Sequence, residues 1–376
     1  MAHITSLRNG TIVNHLYGPE TPEALFLPVC GTAPEDASVT VNGVEAERDG
    51  ETFTAVVPVK EKITQIVMRS ENSCGTVTHA IKVLYDKNSF PRYNFFIDDN
   101  SFFWTELIEK RPKSLFDEFY LAFLKKMHLS YGTKFTLNLF YRNDHHPEKL
   151  LLSAMPERYK SEFADNAHWL KLSWHAFSEF PDRPYQNAPA EAVAADFDRI
   201  REEVVRFAGE ESFIPPVAAH WSMVRPDGLA ELVKRGTRVM VSQFLDPQTS
   251  LDEKRSDSLL CDVNFFRNLR ECLYLREKKM LFDFDSFLIF LRGDLICNYF
   301  TPQEICALME KNHANRKKHE IVSLETHEQY TFPRYFHYLP DHRERIETAI
   351  RKATELGYRP VFFAEGLLGN PVWEES

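Results

Sequence analysis

Two adjacent aspartates, Asp98 and Asp99, follow an apolar run that ends at Ile97. Like charges this close repel each other, so one carboxyl keeps its proton unless a cation or a basic group lies between them. A bound divalent metal is one remedy, with one aspartate as a ligand and the other left free as a base. The alternative is structural, because Asp is a favoured residue at the start of a helix. The pair therefore predicts either a metal site or a helix cap.

Histidines further along the chain favour the metal site. His175, His220 and His327 each follow a different segment that is predicted to be a strand. One histidine at a strand end is usually structural, but three of them with an aspartate pair match the ligands that Zn²⁺ and similar ions prefer. His175 and Glu179 are four residues apart, so both reach one point if the loop makes a helical turn. The alternative for Glu179 is a salt bridge to Arg183.

The third metal ligand is expected to be Glu179, with His220 as the alternative. A set of Asp99, His175 and Glu179 carries charge −2 and neutralises a divalent ion. Replacing Glu179 by His220 leaves a net positive complex, which is also known zinc chemistry.

Length, charge and cysteine content narrow the class of protein. The chain has 376 residues, so two domains are expected, and its net charge of −10 argues against nucleic acid as a partner. No stretch is apolar enough to span a bilayer, and the first ten residues have no signal-peptide core. Scattered cysteines without a CxxC pair are typical of reduced thiols, which predicts a cytoplasmic location. The six cysteines are Cys30, Cys74, Cys261, Cys272, Cys297 and Cys306.

The first 88 residues alternate between apolar and polar side chains, as strands do. The turn pairs Asn42-Gly43 and Asp49-Gly50 are typical of hairpins. Regular short strands without a helical run predict an immunoglobulin-like β-sandwich over residues 1–88. The predicted strands are Ala24–Val29, Ser38–Val41, Phe53–Val59, Thr64–Met68 and Val77–Leu84.

After Pro91 the pattern changes to alternating strands and helices, which predicts parallel strands joined by crossover helices. Seven or eight such units over residues 91–376 predict a (β/α) barrel, with the active site at the carboxyl ends of the strands. The predicted strands are Tyr93–Ile97, Phe135–Tyr141, Trp169–Trp174, Val217–His220, Arg238–Gln243, Met280–Phe284, Glu320–Leu324 and Pro360–Ala364. The predicted helices are Lys113–Met127, Ala190–Ala208, Asp227–Arg235, Pro302–Asn312 and His342–Leu356.

Taken together, these residues resemble the polysaccharide deacetylase superfamily, the NodB-homology or carbohydrate esterase 4-like fold, in a divergent bacterial branch. Asp98-Asp99 is similar to its first motif, in which the first aspartate is the catalytic base and the second a metal ligand. His175-x-x-x-Glu179 is similar to its H-x-x-x-H metal motif, with Glu in place of the second His. The segment from Leu324 to His327 is similar to the late Leu-x-His motif that supplies the general acid, with one extra residue.

The resemblance implies a hydrolase that uses a divalent metal, zinc or alternatively manganese, cobalt or nickel, to remove an N- or O-acyl group from a carbohydrate. The Arg-x-Pro motif of the superfamily is absent as such. His220-Trp221 stands in its place, and Arg225-Pro226 follows. The predicted substrate-binding residues are Trp174, His220, Trp221, Arg225 and Tyr330.

Two other functions stay open. One is metal-independent glycoside hydrolysis by paired carboxylates, Asp99 with Glu179 or Glu365. The other is a barrel that binds carbohydrate without turning it over, since a fold does not imply an activity. The sequence does not indicate an oligomeric state.

Overall fold

The computed structural model describes residues 2–244 and 263–374, and the chain divides into two compact units. The β-sandwich unit comprises the described residues of Met1–Ser89, Met280–Asp285 and Asn370–Ser376, and the α/β unit those of Phe90–Lys279 and Ser286–Gly369. From the sequence, the two later segments of the β-sandwich unit were expected to belong to the second domain. Cys261 lies outside the described residues, and the five described cysteines are free thiols.

The strands of the described residues alternate along the chain with turns, loops and helices. They are His3–Ile4 (β1), Thr11–Val13 (β2), Leu25–Thr32 (β3), Ser38–Val41 (β4), Val44–Glu45 (β5), Glu47–Asp49 (β6), Thr52–Val59 (β7), Ile63–Asn72 (β8), Gly75–Tyr85 (β9), Arg92–Asn100 (β10), Phe135–Phe140 (β11), Leu170–Ala176 (β12), Val239–Ser242 (β13), Met280–Asp283 (β14), Leu288–Arg292 (β15), Leu295–Ile296 (β16), Ile321–His327 (β17) and Arg359–Pro360 (β18).

The helices of the described residues all follow β10. They are Phe102–Lys110 (α1), Phe119–Tyr131 (α2), Lys160–Asn166 (α3), Ala190–Ala208 (α4), Pro226–Lys234 (α5), Val263–Phe266 (α6), Leu269–Lys278 (α7), Pro302–Ala314 (α8), Arg316–His319 (α9) and His342–Glu355 (α10). Among them, none is both long enough and apolar enough to cross a membrane.

The β-sandwich unit contains two sheets, ordered β1-β3-β7-β6 and β2-β9-β8-β4-β5. Burial alternates strictly along β7, as expected for a strand with one face on the core. Leu27 of β3 pairs with Val57 of β7, and both are fully buried. Strands of both sheets contribute to one apolar cluster, so the unit is a sandwich around a single core. Its immunoglobulin-like topology stays a prediction.

Hydrogen bonds join the two later segments, Met280–Asp285 and the described part of Asn370–Ser376, to the rest of the β-sandwich unit. The Phe282 N–H donates to the carbonyl of Gly10. The Trp373 indole N–H donates to the carbonyl of Tyr85 at 2.7 Å, and the Asn370 amide donates to Asp86. The strand expected in the second domain at Met280–Phe284 is therefore grouped with the β-sandwich unit.

The α/β unit is built on a parallel sheet ordered β12-β11-β10-β17-β16, with β18 also paired to β10. β13 and β15 form a separate parallel ladder. Single backbone hydrogen bonds join further residues to these strands. In the larger sheet, the N–H groups of Ile214 and Asp294 donate to the carbonyls of Leu172 and Ser323. At β13, the Val241 N–H donates to the Val217 carbonyl, and the Gly293 N–H donates to the Ser242 carbonyl. A closed (β/α) barrel stays a prediction.

Helix α4 shows how the pattern of the sequence gives the packing. Its apolar residues recur every three or four positions, and those at Val193, Phe197, Ile200 and Val204 are buried. It runs over Ala190–Ala208, the range predicted from the sequence. By contrast, β15 was not predicted, and a short helical turn, His220–Ser222, begins inside the segment expected to be the strand Val217–His220.

The register of β3 predicts that two adjacent substitutions differ strongly in their effect on stability. Leu27 is fully buried, whereas Phe26 is 40% exposed on the other face. Leu27→Ala should lower the free energy of unfolding by about 2–5 kcal/mol, since it leaves a cavity in the core. Phe26→Ala should change it by less than about 1 kcal/mol. Urea denaturation followed by circular dichroism measures both, and a larger loss for Phe26→Ala would contradict the register.

Candidate metal centre

Asp98 and Asp99 close β10 at a β-bulge. Ile97 pairs with Leu137 and Asn100 with Leu139, so Asp98 and Asp99 lie opposite the single residue Asn138 of β11, and Asp99 has a φ of 61°. Consecutive side chains of a regular strand face opposite sides, whereas a bulge re-aims one of them. A left-handed backbone at a non-glycine residue costs on the order of 1–3 kcal/mol. The bulge turns both buried carboxylates toward His175, whose ring nitrogens lie 3.7 Å from Asp98 Oδ1 and 3.1 Å from Asp99 Oδ1.

His175 lies at a second bulge, at the end of β12. Leu139 pairs with Trp174 and Phe140 pairs with Ala176, so His175 is the extra residue between them. Its ring is only 2% exposed. Phe140 packs against the ring at a centroid distance of 5.2 Å. The imidazole therefore has a fixed position beside the carboxylates.

His220 enters from a tight turn. The two residues after it, Trp221 and Ser222, both have left-handed backbones, with φ of 61° and 53°. The Nε2 of His220 lies 3.1 Å from the carbonyl oxygen of Glu179. Since a carbonyl only accepts, Nε2 carries the proton and Nδ1 keeps a lone pair. That lone pair faces Asp99 and His175.

Three donor atoms, Asp99 Oδ1, His175 Nε2 and His220 Nδ1, form a nearly equilateral triangle. Asp99 Oδ1 lies 3.1 Å from His175 Nε2 and 3.4 Å from His220 Nδ1, and the two nitrogens are 3.2 Å apart. Tetrahedral zinc with bonds of about 2.0–2.1 Å places its ligands about 3.3 Å apart. The chemistry and spacing of these donors, which form one of two groups found among the described residues, therefore fit a zinc-like ion.

The electrostatics of the triangle favour positive charge at its centre. Burial raises the pKa of Asp99, but the adjacent imidazoles of His175 and His220 and the charge of His327 hold it well below its usual range. Burial lowers the pKa of His175, but the charges of Asp98 and Asp99 outweigh this and raise it overall. The same anionic field that draws a proton to His175 would stabilise a divalent cation.

The preference for Glu179 as the third ligand does not match this geometry. The Glu179 carboxylate accepts a hydrogen bond from the Gln329 amide at 2.7 Å and pairs with His145, while its backbone carbonyl orients His220. Residues 177–180 form no helical turn, so the i,i+4 spacing does not bring the Glu179 side chain to the point that His175 faces. Asp98, beside His175, supplies the second negative charge that Glu179 was expected to bring.

A second group of acidic and basic side chains adjoins the triangle. Asp98, Glu325 and His327 each offer an atom within 4.8 Å of the other two. Asp98 and His327 are register partners on the adjacent parallel strands β10 and β17. Asn138 donates to Asp98 Oδ1 at 2.6 Å. Burial and the charges of Asp98 and Asp99 raise the pKa of Glu325 well above its usual range, which favours the protonated form of its carboxyl.

The predicted substrate-binding residues separate into two sets. Trp221 is 39% exposed, with its ring 6.1 Å from that of His220, and the half-buried Tyr330 ring lies 6.1 Å from His327. Trp174, in contrast, has no exposed surface and packs against Tyr185 and Phe197. It is a core residue, and it presents no surface to a substrate in this structure.

Arg225 stands apart from the triangle as well. It precedes α5 and forms an exposed ion pair with Asp227, its Nε lying 3.3 Å from the carboxylate. No contact among the described residues joins Arg225 to the donor triangle. Its assignment as a substrate contact therefore has no structural support.

Two exposed aromatic residues near Glu179 were not predicted. Phe336 is 69% exposed and Phe180 is 48% exposed. Both rings contact His145, at centroid distances of 6.0 and 6.2 Å, and His145 in turn pairs with Glu179. Apolar side chains left in water beside polar groups are typical of binding surfaces. The run of aromatic residues from Tyr330 to Tyr338 was the available sequence signal.

Glu328 ties the ends of β10 and β17 together. Its carboxylate is fully buried and accepts the backbone N–H groups of Ser101, Phe102 and Phe103 at 2.7, 2.8 and 2.6 Å. These N–H groups begin α1, which has no side-chain cap of its own. A carboxylate at a helix start is stabilised by the orphan donors and the helix dipole. Glu328 therefore fixes the turn that follows Asp99 next to the strand that carries His327.

This arrangement predicts that Glu328→Gln disturbs the metal centre as well as the fold. Only one oxygen would remain to accept hydrogen bonds, so the free energy of unfolding should fall by about 1.5–3 kcal/mol. Because the turn after Asp99 would loosen, zinc affinity should fall by roughly 10–100-fold, as for other supporting residues of metal sites. Thermal denaturation and zinc titration measure the two effects.

Glu118→Gln is the matched control. Glu118 is also buried and caps α2 through the backbone N–H groups of Tyr120 and Leu121. It should cost comparable stability and leave zinc affinity unchanged. Equal zinc affinity in the two variants would contradict the role assigned to Glu328.

Comparison with protein-family models gives no match, and neither does comparison with curated proteins. Among solved structures, a β-glucuronidase from Bacteroides uniformis is 13% identical over 24% of this chain, with a TM-score of 0.19, and the match spans only 11% of the glucuronidase. A Bacteroides fragilis protein described as a candidate α-galactosidase is 11% identical over 96% of this chain and 80% of its own, with a TM-score of 0.29. Similarity this low supports no statement about fold or function.

Proposed function

We propose that this protein is a metal-dependent hydrolase that removes an N- or O-acyl group from a carbohydrate. The observation that carries the proposal is the donor triangle of Asp99, His175 and His220, with the Asp98 carboxylate directly beside it. The resemblance of Asp98-Asp99 and of the segment ending at His327 to deacetylase motifs points to the same chemistry.

Asp99, His175 and His220 would hold the cation, which we propose to be zinc, with manganese, cobalt or nickel as alternatives. When bound, such an ion supplies Lewis acidity, polarising an acyl carbonyl and acidifying a water molecule. One aspartate and two histidines leave a net charge of +1 on a divalent complex. Asp98, whose Oδ1 lies 3.7 Å from His175 Nδ1, compensates that charge.

Asp98 is the proposed general base. Its Oδ1 accepts a hydrogen bond from Asn138, which fixes the orientation of the carboxylate and leaves Oδ2 to take the proton of the attacking water. A base oriented in this way contributes about 10²–10⁴-fold to the rate. The raised pKa of Glu325 nearby favours its protonated form, which limits the negative charge of the site.

His327 is the proposed general acid, which protonates the leaving amine or alkoxide. Its position opposite Asp98 in the β10–β17 register places acid and base on the same edge of the sheet, since parallel strands end together. The base thus removes a proton from the water and the acid delivers one to the leaving atom, so no charge accumulates over the reaction.

A carbohydrate as substrate is supported by the aromatic side chains around the centre. Trp221, Phe180 and Phe336 are all exposed, and aromatic rings of this kind pack against the apolar faces of sugar rings. Trp221 directly follows the ligand His220, and Phe180 directly follows Glu179, whose carbonyl orients that ligand. The sugar and the acyl group are not specified by these contacts.

Metal titration tests the ligand assignment. His175→Ala and His220→Ala should each weaken zinc binding by more than about 100-fold, because loss of a direct ligand costs more than loss of a supporting residue. Glu179→Gln should change affinity by less than about 10-fold, since it keeps the backbone carbonyl that orients His220. Isothermal titration calorimetry on metal-stripped protein measures the three affinities.

The control for the titration is His128→Ala, which removes a histidine stacked on Trp169 and should leave zinc affinity unchanged. A large loss in Glu179→Gln with normal binding in His220→Ala would restore Glu179 as the third ligand. Unchanged binding in His175→Ala would end the metal hypothesis.

Product analysis tests the reaction. Incubation of the zinc-loaded protein with a panel of N- and O-acetylated oligosaccharides should release acetate without creating new reducing ends. Asp98→Asn and His327→Ala should each lower the rate by about 10²–10⁴-fold, with zinc affinity retained in His327→Ala. New reducing ends that form without metal would instead favour glycoside hydrolysis. Sugar binding with no product would favour a non-catalytic barrel.

A further inference from the structure

The His327 ring has one well-defined hydrogen-bond partner on the side of its Nδ1. This nitrogen lies 3.0 Å from Oδ1 of Asn298. Asn298 is buried, and it lies in the short helical turn Cys297–Tyr299 that follows β16. Arg345 of α10 donates to the Asn298 carbonyl at 3.2 Å, so the backbone of this turn is anchored independently of the side chain.

A chain of neutral hydrogen bonds continues from Asn298 Oδ1, the atom that faces His327. The Thr326 hydroxyl donates to Asn298 Oδ1 at 3.4 Å and is itself bonded to His342 Nε2 at 2.7 Å. His342 Nδ1 bonds to the Thr331 hydroxyl, also at 2.7 Å. Burial, with the charges of His327 and Arg345, lowers the pKa of His342 to about 3, so its ring is neutral and donates through one nitrogen only.

With Asn298 Oδ1 toward His327, as the structure places it, the donors and acceptors of this chain follow in one order. Thr331 donates to His342 Nδ1, and His342 Nε2 donates to Thr326. Thr326 then donates to Asn298 Oδ1, which accepts from His327 Nδ1 as well. An amide oxygen has two lone pairs and no proton to give. In this orientation of the Asn298 amide, His327 carries a proton on Nδ1.

We propose that Asn298 is a positioning residue that holds His327 in the Nδ1–H tautomer, so that Nε2 is the atom that gives and takes protons in the cleft. The inference rests on the proposed role of His327 as general acid. It adds a residue from β16 and its following turn to a site so far built from β10, β12, β17 and the turn at His220.

The transfer step balances in this arrangement. In the doubly protonated ring, Nδ1–H stays bonded to Asn298 Oδ1 throughout. The Nε2–H bond breaks as the leaving nitrogen or oxygen uses its electron pair to form the new N–H or O–H bond. The ring is left neutral, in the tautomer that Asn298 favours.

Imidazole ¹⁵N NMR on histidine-labelled full-length protein, without substrate, tests the tautomer directly. The His327 signals are identified by their loss in His327→Gln. The wild-type protein should show a protonated Nδ1 and an unprotonated Nε2 at a pH where the ring is neutral. Asn298→Asp keeps an acceptor and should keep this tautomer, whereas Asn298→Leu, which has no acceptor, should shift the proton to Nε2.

Kinetics provide the second readout. Asn298→Leu should lower kcat by on the order of 10²-fold with little change in KM, at the lower end of what a general acid contributes. In a His327→Ala background, adding Asn298→Leu should cost nothing further. Asn370→Leu removes a buried amide of the β-sandwich unit that donates to Asp86 and should leave both tautomer and kcat unchanged.

A wild-type His327 with its proton on Nε2, or an unchanged tautomer in Asn298→Leu, would overturn the proposal. An additive effect of Asn298→Leu in the His327→Ala background would do so as well. Full activity of His327→Ala together with the expected tautomer would instead refute the general-acid role and leave the positioning by Asn298 intact.

Discussion

Two carboxylates buried side by side are the constraint on which the rest of the site depends. Asp98 and Asp99 lie within a strand whose nine residues are all buried, where an unpaired charge costs several kcal/mol. Different neighbouring groups stabilise the two carboxylates. Asp99 faces two histidines, Asp98 accepts a hydrogen bond from Asn138, and the raised pKa of Glu325 favours its protonated form. In the proposed function, a divalent cation among Asp99, His175 and His220 would complete the compensation.

The donors converge because the backbone departs from regular geometry at each of them. A bulge with a left-handed residue presents Asp99, a second bulge presents His175, and two successive left-handed residues follow His220. Such conformations persist only where the surrounding structure supports them. Here Glu328 supports the first through three backbone N–H groups, and the carbonyl of Glu179 holds the ring that precedes the third. Irregular backbone is therefore concentrated at the residues that carry the three candidate donor atoms.

Sequence reasoning located the strand ends that carry Asp98, Asp99, His175 and His327, because parallel strands bring their carboxyl ends to one edge of a sheet. The prediction of individual site residues failed where the local backbone conformation determines the direction of a side chain. The spacing of His175 and Glu179 suggested a helical turn that does not form. Trp174 was expected in the cleft, but this tryptophan lies in the core against Phe197 of α4.

Other contributors had no usable signal in the sequence. Asn298 follows a strand of two residues, too short to be recognised from periodicity. Gln329 and His145 both hydrogen-bond to the Glu179 carboxylate, although they lie in distant parts of the chain. The segments Met280–Asp285 and Asn370–Ser376 show the same limit at the level of domains, since a discontinuous unit leaves no boundary in composition.

The most direct measurement of the central claim is a crystal structure of the zinc-soaked protein with anomalous diffraction recorded on both sides of the zinc edge. We predict one strong peak within about 2.0–2.2 Å of Asp99 Oδ1, His175 Nε2 and His220 Nδ1, with Glu179 still bound to Gln329 and His145. An anomalous peak elsewhere, or a saturating zinc soak that leaves the three donor atoms hydrogen-bonded to one another without a peak between them, would contradict it.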